Sequence, residues 1–272
     1  MSLSVQTNIA ALDAHRNLAD TQSLLSQSME RLSSGYRINS AADDAAGFAI
    51  SEGLQAQIGG LQQAQRNAQD AVNLVQTGEG AMNEVQAMLL RLRDLAVQYN
   101  NGTLSSTDQA AITAEVAQLC AEISQIGAQT QFNGIALLTG TATLSFQVGA
   151  DDGETISTAA VALFGSGSSY KVDSNLFTFS GSTVTLASID AAITNVSSAR
   201  ATFGAIQNRL QHSLNNLAIY EENLQSSEST IKDVDMAAEM VNFTKLQILQ
   251  QAGTAMLAQA NQLPQSVLTL LR

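Results

Sequence analysis

The residues able to do chemistry in this chain are few and scattered. Of its two histidines, His15 and His212, neither belongs to a His-Glu-x-x-His pair, and the helical pattern sets them too far apart to share a metal ion. Asp151, Asp152 and Glu154 cluster in a turn and offer hard oxygen ligands, but EF-hand spacing is absent and a solvated turn accounts for them. The single cysteine, Cys120, has no internal disulfide partner. It reads as a partly covered helix residue, with an added chemical handle as the lesser alternative. No Gly-rich loop passes from a strand into a helix, so no phosphate cradle is expected. Asn195-Val196-Ser197 and Asn242-Phe243-Thr244 match a glycosylation acceptor but fall in helical segments. Nothing assembles a nucleophile, a base and an orienting group. The chain reads as non-enzymatic, with no cofactor or metal implied.

Composition points the same way. Twelve Lys plus Arg against 24 Asp plus Glu give a net charge of −12, which disfavours nucleic acid and anionic membranes as partners. No apolar run reaches the roughly 18 residues of a membrane span, and the first residues lack the basic start and apolar core of a secretory signal. With aromatics at 4% and one proline, Pro264, the composition suits long helices packed through small residues.

Heptad spacing is the dominant pattern. Leu61, Ala64, Ala68, Ala71, Val75, Gly78, Met82, Val85, Leu89, Leu92 and Ala96 form one seam, in a helix of roughly 55 residues starting near Asp44, about 80 Å long. Gly78 and Gly80 interrupt it, marking a bend or a close approach by another helix. After Asn100-Asn101-Gly102, Ser106 or Thr107 can cap a second helix with Ile112, Val116, Leu119, Ile123 and Ile126 on its seam. A further helix of about 45 residues carries a seam from Ile189 through Phe203 and Leu217 to Val234. Between these helices, Leu144, Phe146 and Val148 alternate ahead of Asp152-Gly153 and Thr155-Ile156, predicting a hairpin. Phe177 and Phe179, then Val184 and Leu186, predict another; Gly165–Ser169 reads as a flexible connection.

Both ends are amphipathic. Ala11, Leu18, Leu25 and Leu32 fall seven apart, with Met29 beside them. Leu246, Leu249, Gly253, Met256, Ala260, Leu263, Val267 and Leu270 alternate spacings of three and four almost to Arg272, and Pro264 removes one backbone donor there, predicting a kink. Chain ends are usually polar and frayed, so two apolar helical ends suggest where the protein meets its partners. The expected fold is mainly α: an elongated antiparallel helical bundle or coiled coil with a small β-hairpin insertion.

Several motifs carry a family resemblance. Glu30-Arg31-Leu32-Ser33-Ser34-Gly35-Tyr36-Arg37-Ile38-Asn39, followed by Ala42-Asp43-Asp44-Ala45-Ala46-Gly47, closely resembles the N-terminal signature of bacterial flagellin. Arg93–Gln98, Phe132-Asn133-Gly134, Phe146–Gly149, Ile231–Asp235, Ala258–Asn261 and Val267–Arg272 resemble further motifs of that family. The likeness spans essentially the whole chain, which is similar to a short flagellin without large variable outer domains.

The resemblance implies a filament subunit for motility, located outside the cell. Residues 1–43 and 235–272 would be paired axial helices of an inner tube. Residues 44–140 and 188–234 would be the two halves of an outer-tube rod, and 141–187 a rudimentary outer part. Polymerisation seams would run through Leu18, Leu25, Leu32, Leu246, Leu249, Met256, Leu263 and Leu270. Implied partners are further copies of the chain, an export chaperone, the type III export apparatus, and the filament cap and junction proteins. A Toll-like receptor is also implied, through the helix carrying Leu89, Arg91, Arg93, Asp94 and Leu95. Leu90 stands where the family commonly has a glutamine, whose hydrogen bonds an apolar side chain cannot replace. The alternatives are a hook–filament junction protein, which shares the terminal motifs, and a helical signalling rod, which would need a membrane span or kinase-docking tip.

Overall fold

The computed structural model describes residues 8–139, 143–158 and 186–270. Five helices lie among them: α1 (Ile9–Ser34), α2 (Ala45–Tyr99), α3 (Ser106–Gln129), α4 (Leu186–Lys232) and α5 (Met236–Leu270). Among the described residues between α3 and α4 are two short antiparallel hairpins: β1 (Gln131–Phe132) with β2 (Ile135–Ala136), and β3 (Leu144–Gln147) with β4 (Thr155–Thr158). Backbone contacts divide the chain into two units, residues 57–222 and residues 1–56 with 223–272.

In the unit 57–222, all eleven positions of the α2 seam from Leu61 to Ala96 are buried. From Ala68 to Ala96 its apolar positions share one core with Ile112, Val116 and Ile123 of α3 and with Ile189, Val196, Phe203 and Leu210 of α4. Because two helices cover α2, its buried face is wider than one heptad stripe. Val72, Leu74, Leu95 and Tyr99 join it, which spacing alone does not reveal. Gly78 is the point of close approach: a Cβ there would lie 2.8 Å from Cε2 of Phe203. Gly80 has nothing within 4 Å and is exposed.

The termini of these elements follow from local chemistry. Ser105 caps α3, its hydroxyl accepting from the Asp108 N–H while the Asp108 carboxylate accepts from the Ser105 N–H and hydroxyl. These bonds, chiefly the one from the hydroxyl, hold the Asp108 carboxyl below the usual aspartate range. Asn133 (φ 50°) and Gly134 (φ 80°) make the β1–β2 turn, the left-handed pair that a two-residue hairpin requires. The β3–β4 hairpin pairs Phe146 with Ile156, and Asn67 of α2 donates to the Gln147 carbonyl at 3.2 Å. The second hairpin expected from Phe177, Phe179 and Val184 lies outside the described residues, while Leu186 begins α4.

In the unit formed by residues 1–56 and 223–272, α1 and α5 run antiparallel against each other. Gly35 (φ 77°) ends α1, its N–H donating to the Arg31 carbonyl. Residues 35–44 lead to α2, and 233–235 lead from α4 to α5. The α4 helix therefore stops at Lys232, short of the Val234 to which its seam points, and Asp235 accepts from the N–H groups of Ala237 and Ala238 to start α5. The α5 helix continues through Pro264 to Leu270.

Candidate functional site

The paired terminal helices have a continuous packed seam. On α1 the covered positions are Ala11, Ala14, Leu18, Thr21, Leu25, Ser28 and Leu32, alternating three and four apart. On α5 they are Glu239, Phe243, Leu246, Gln250, Gly253, Leu257 and Ala260. Of the positions singled out by spacing, Leu25 is buried and Leu18, Leu32 and Leu246 are half-buried. Leu249 and Met256 are not on the line of closest packing: they are 46% and 64% exposed. Two interleaved three-four patterns share Leu246, Gly253 and Ala260, and the packed one passes through Gln250 and Leu257 instead. Leu263 and Leu270 fall on α5, but their side chains lie outside the described residues.

Polar bonds fix the pairing. The Ser28 hydroxyl donates to the Glu239 carboxylate in a covered position, Gln250 donates to Gln22, and the Asn8 amide donates to the Ala260 carbonyl at 2.7 Å. Gly253 admits Leu18, whose Cδ1 lies 3.2 Å from where a Cβ would stand.

The pair leaves much apolar surface uncovered. A groove of about 360 Å³ runs beside the seam, lined by Ala14, Leu18, Leu249, Ala252, Gly253 and Met256 among others. Ile9, Leu12, Val241 and Ile248 are each more than half exposed. Exposed apolar side chains in this number along one helix pair mark an interaction element, and fully burying one such side chain contributes roughly 1.5–3 kcal/mol.

The second candidate region lies in the unit 57–222, on α2. Arg91 pairs with Glu115 of α3 at 2.7 Å and Arg93 with Asp190 of α4 at 2.7 Å. The Asp190 hydrogen bond and its charge raise the Arg93 guanidinium pKa. Asp94 and Leu90 are exposed. Leu89 and Leu95, grouped with these residues on sequence, are core residues at 0% and 1% exposure, so they offer no surface to a partner. They lie on the face of α2 that α3 and α4 cover.

The remaining chemically capable residues stay apart. His15 and His212 are exposed, on α1 and α4 respectively. Among the described residues no group of His, Cys, Asp or Glu is arranged to hold a metal ion. Cys120 packs partly against the core, and burial pushes its thiol up, away from the reactive thiolate. No helix among the described residues is long and apolar enough to cross a membrane. Sequence reasoning missed Ala14, Thr21, Ser28, Glu239 and Gln250, because small and polar residues carry no apolar signal. Their only trace is their position three or four residues from the leucines.

Comparison with known proteins fits this arrangement of paired ends and a helical middle. The family model of the bacterial flagellin N-terminal helical region matches residues 5–143, and that of the C-terminal helical region matches residues 186–271. The chain belongs to the bacterial flagellin family. It is 48% identical over 270 residues to a flagellin of Halalkalibacterium halodurans, covering 98% of this chain and 99% of that one. Against a flagellin of Bacillus subtilis it is 43% identical over 304 residues, covering 99% and 100%. The crystal structure of Bacillus cereus flagellin aligns at 34% identity with a TM-score of 0.46, covering 56% of this chain and 88% of that one. As a member of this family the chain is a structural, self-associating subunit of the flagellar filament, an extracellular appendage, and not an enzyme.

Proposed function

We propose that the α1·α5 pair is the polymerising element of this subunit. Residues 1–43 and 235–272 line the inner tube, residues 44–140 and 188–234 form the outer wall, and residues 141–187 are a rudimentary outer part. The observation that carries this reading is the apolar face that the paired helices leave open, with Val241 at 69% and Met256 at 64% exposure. In this reading Leu249 and Met256 serve between subunits, whereas Leu18, Leu25, Leu32 and Leu246 hold the pair within one subunit. An open apolar face is an aggregation hazard in a free chain, which supports an export chaperone and passage through the type III apparatus before assembly. The cap and junction proteins then meet the same helices at the filament ends.

On α2, Leu90, Arg91, Arg93 and Asp94 face outward as a lateral subunit contact. The same surface is the one a Toll-like receptor would recognise, although both arginines are already engaged by carboxylates of their own chain.

The test is Met256→Glu. Because this side chain is mostly exposed, the variant subunit should keep wild-type helicity and melting. It should lose seeded elongation, since the carboxylate would be buried unpaired between subunits. Wild-type elongation by this variant, read by negative-stain microscopy and sedimentation, would remove α5 from the subunit contact.

A further inference from the structure

The α1·α5 pair reaches the rest of its own unit through two short links, residues 35–44 and 233–235, and these links are bonded to each other. The Lys232 carbonyl accepts from the N–H groups of Arg37 at 2.7 Å and Ile38 at 3.5 Å, and the Val234 N–H donates to the Gly35 carbonyl at 3.0 Å. Tyr36 and Asp233 form an isolated antiparallel bridge, and the Arg37 guanidinium donates to the Ile231 carbonyl at 2.6 Å. Ile38 is buried at 1% exposure, and Gly47 packs so closely on it that a Cβ would stand 2.7 Å from its Cδ1. The Asp43 carboxylate gathers the Gln27 amide, the Ser40 N–H and hydroxyl, and the Asn39 N–H. These bonds, Gln27 first, hold its carboxyl below the usual range. The result is an ordered elbow.

One side chain joins three segments of this elbow. The Lys232 ammonium, on a side chain only 15% exposed, lies 3.9 Å from Glu52 of α2 and 3.9 Å from Glu228 of α4. It also stands 5.2 Å from the centroid of the Tyr36 ring on the 35–44 link, within cation–π range. Apolar contact is non-directional, whereas a cation between two carboxylates and a ring face has one preferred place. Removing it leaves two carboxylates on neighbouring helices with no cation between them, and like charges at that range repel.

We infer that Lys232 is a positioning residue for filament assembly: its charge holds the elbow in one geometry, so that within this unit the α1·α5 pair leaves residues 45–56 of α2 and 223–232 of α4 at a single angle. The inference rests on the reading of α1·α5 as the polymerising element. A subunit with a loose elbow must have that angle ordered at each addition, which raises the concentration needed for growth without altering the packed core of residues 57–222.

The experiment uses the full chain as wild type, Lys232→Met, Lys232→Arg and the double variant Lys232→Met with Glu52→Gln. Three quantities are read: tryptic cleavage after Arg37 in the monomer by mass spectrometry, the melting temperature, and the critical concentration for seeded elongation. For Lys232→Met, Arg37 should become cleavable and the critical concentration should rise about fivefold, the scale of a partly covered ion pair, with the melting temperature unchanged. Lys232→Arg should restore both readouts, and the double variant should recover part of the loss because one of the facing charges is gone. Unchanged cleavage and critical concentration in Lys232→Met would overturn the inference. So would a fall in melting temperature that tracks the assembly defect and is not rescued by arginine. If Lys232→Met does not fold, Glu52→Gln alone must shift cleavage and critical concentration in the same direction, and no shift overturns the inference. If the wild type fails to elongate, the polymerising role of α1·α5 falls, while cleavage after Arg37 still decides whether Lys232 holds the elbow.

Discussion

Two glycines two residues apart on α2 should respond in opposite directions to the same substitution. Gly80 has nothing within 4 Å of a Cβ position, so Gly80→Ala should gain the helix-propensity difference, about 1 kcal/mol. Gly78→Ala gains the same propensity, but its methyl would stand 2.8 Å from Cε2 and 3.4 Å from Cζ of Phe203. That ring is 3% exposed and cannot swing into solvent. Overpacking of this kind costs roughly 1–3 kcal/mol, so the net effect is a loss of about 1 kcal/mol. The difference between the two variants cancels the propensity gain and isolates the clash. At roughly 2–4 °C per kcal/mol for a domain of this size, Gly80→Ala should melt a few degrees above the wild type and Gly78→Ala a few degrees below, by circular dichroism of the monomer. In a Phe203→Leu background the Gly78→Ala penalty should shrink, since the two sites are coupled. Equal stabilisation by both alanines would refute the close approach of α4 to α2 at Gly78.

Two further substitutions probe the ends and faces of the same unit. Ser105→Ala removes the cap of α3 and should cost about 1 kcal/mol at neutral pH. The Asp108 carboxyl is depressed by the Ser105 hydroxyl and N–H. Its stabilising share is therefore complete above the ordinary aspartate range and is lost as pH falls through the depressed value. The melting difference between Ser105→Ala and wild type should narrow in acid, and a constant difference would exclude the capping box. Asp94→Arg changes an exposed residue and should leave helicity intact while impairing filament growth; normal filaments on microscopy would make that face an idle, solvated one.

The sequence shows the middle of the fold well and its joints poorly. The α2 seam is legible because eleven positions in strict heptad spacing are apolar or small, and all eleven are buried. Leu95 and Tyr99 escaped that reading because α2 is covered by two helices, and a single-stripe pattern describes only one partner. On α5 the opposite problem arises. Leucine, methionine and alanine occur on several sides, so the seam through Leu249 and Met256 and the one through Gln250 and Leu257 are equally regular. Packing against Leu18 and Leu25 selects the second and leaves the first exposed. The elbow was invisible for a different reason. Its bonds join residues 35–38 to 231–234 through backbone groups, and backbone pairing between distant segments has no side-chain signature. The family motif around Gly35 and Asp233 marks the place but not the bond that closes there.

Amide hydrogen exchange of the intact chain, as monomer and as filament, tests the central claim most directly. The α1 and α5 helices pack mainly on each other and present a large apolar face to solvent, so local opening should be easy in the monomer. The account predicts rapid exchange along α1 and α5 in the monomer and strong protection of both in the filament, with the buried stretch of α2 from Leu61 to Ala96 protected in both states. If α1 and α5 are equally protected in both states, and assembly slows exchange only in α2, α3 and α4, the terminal pair is not what builds the polymer.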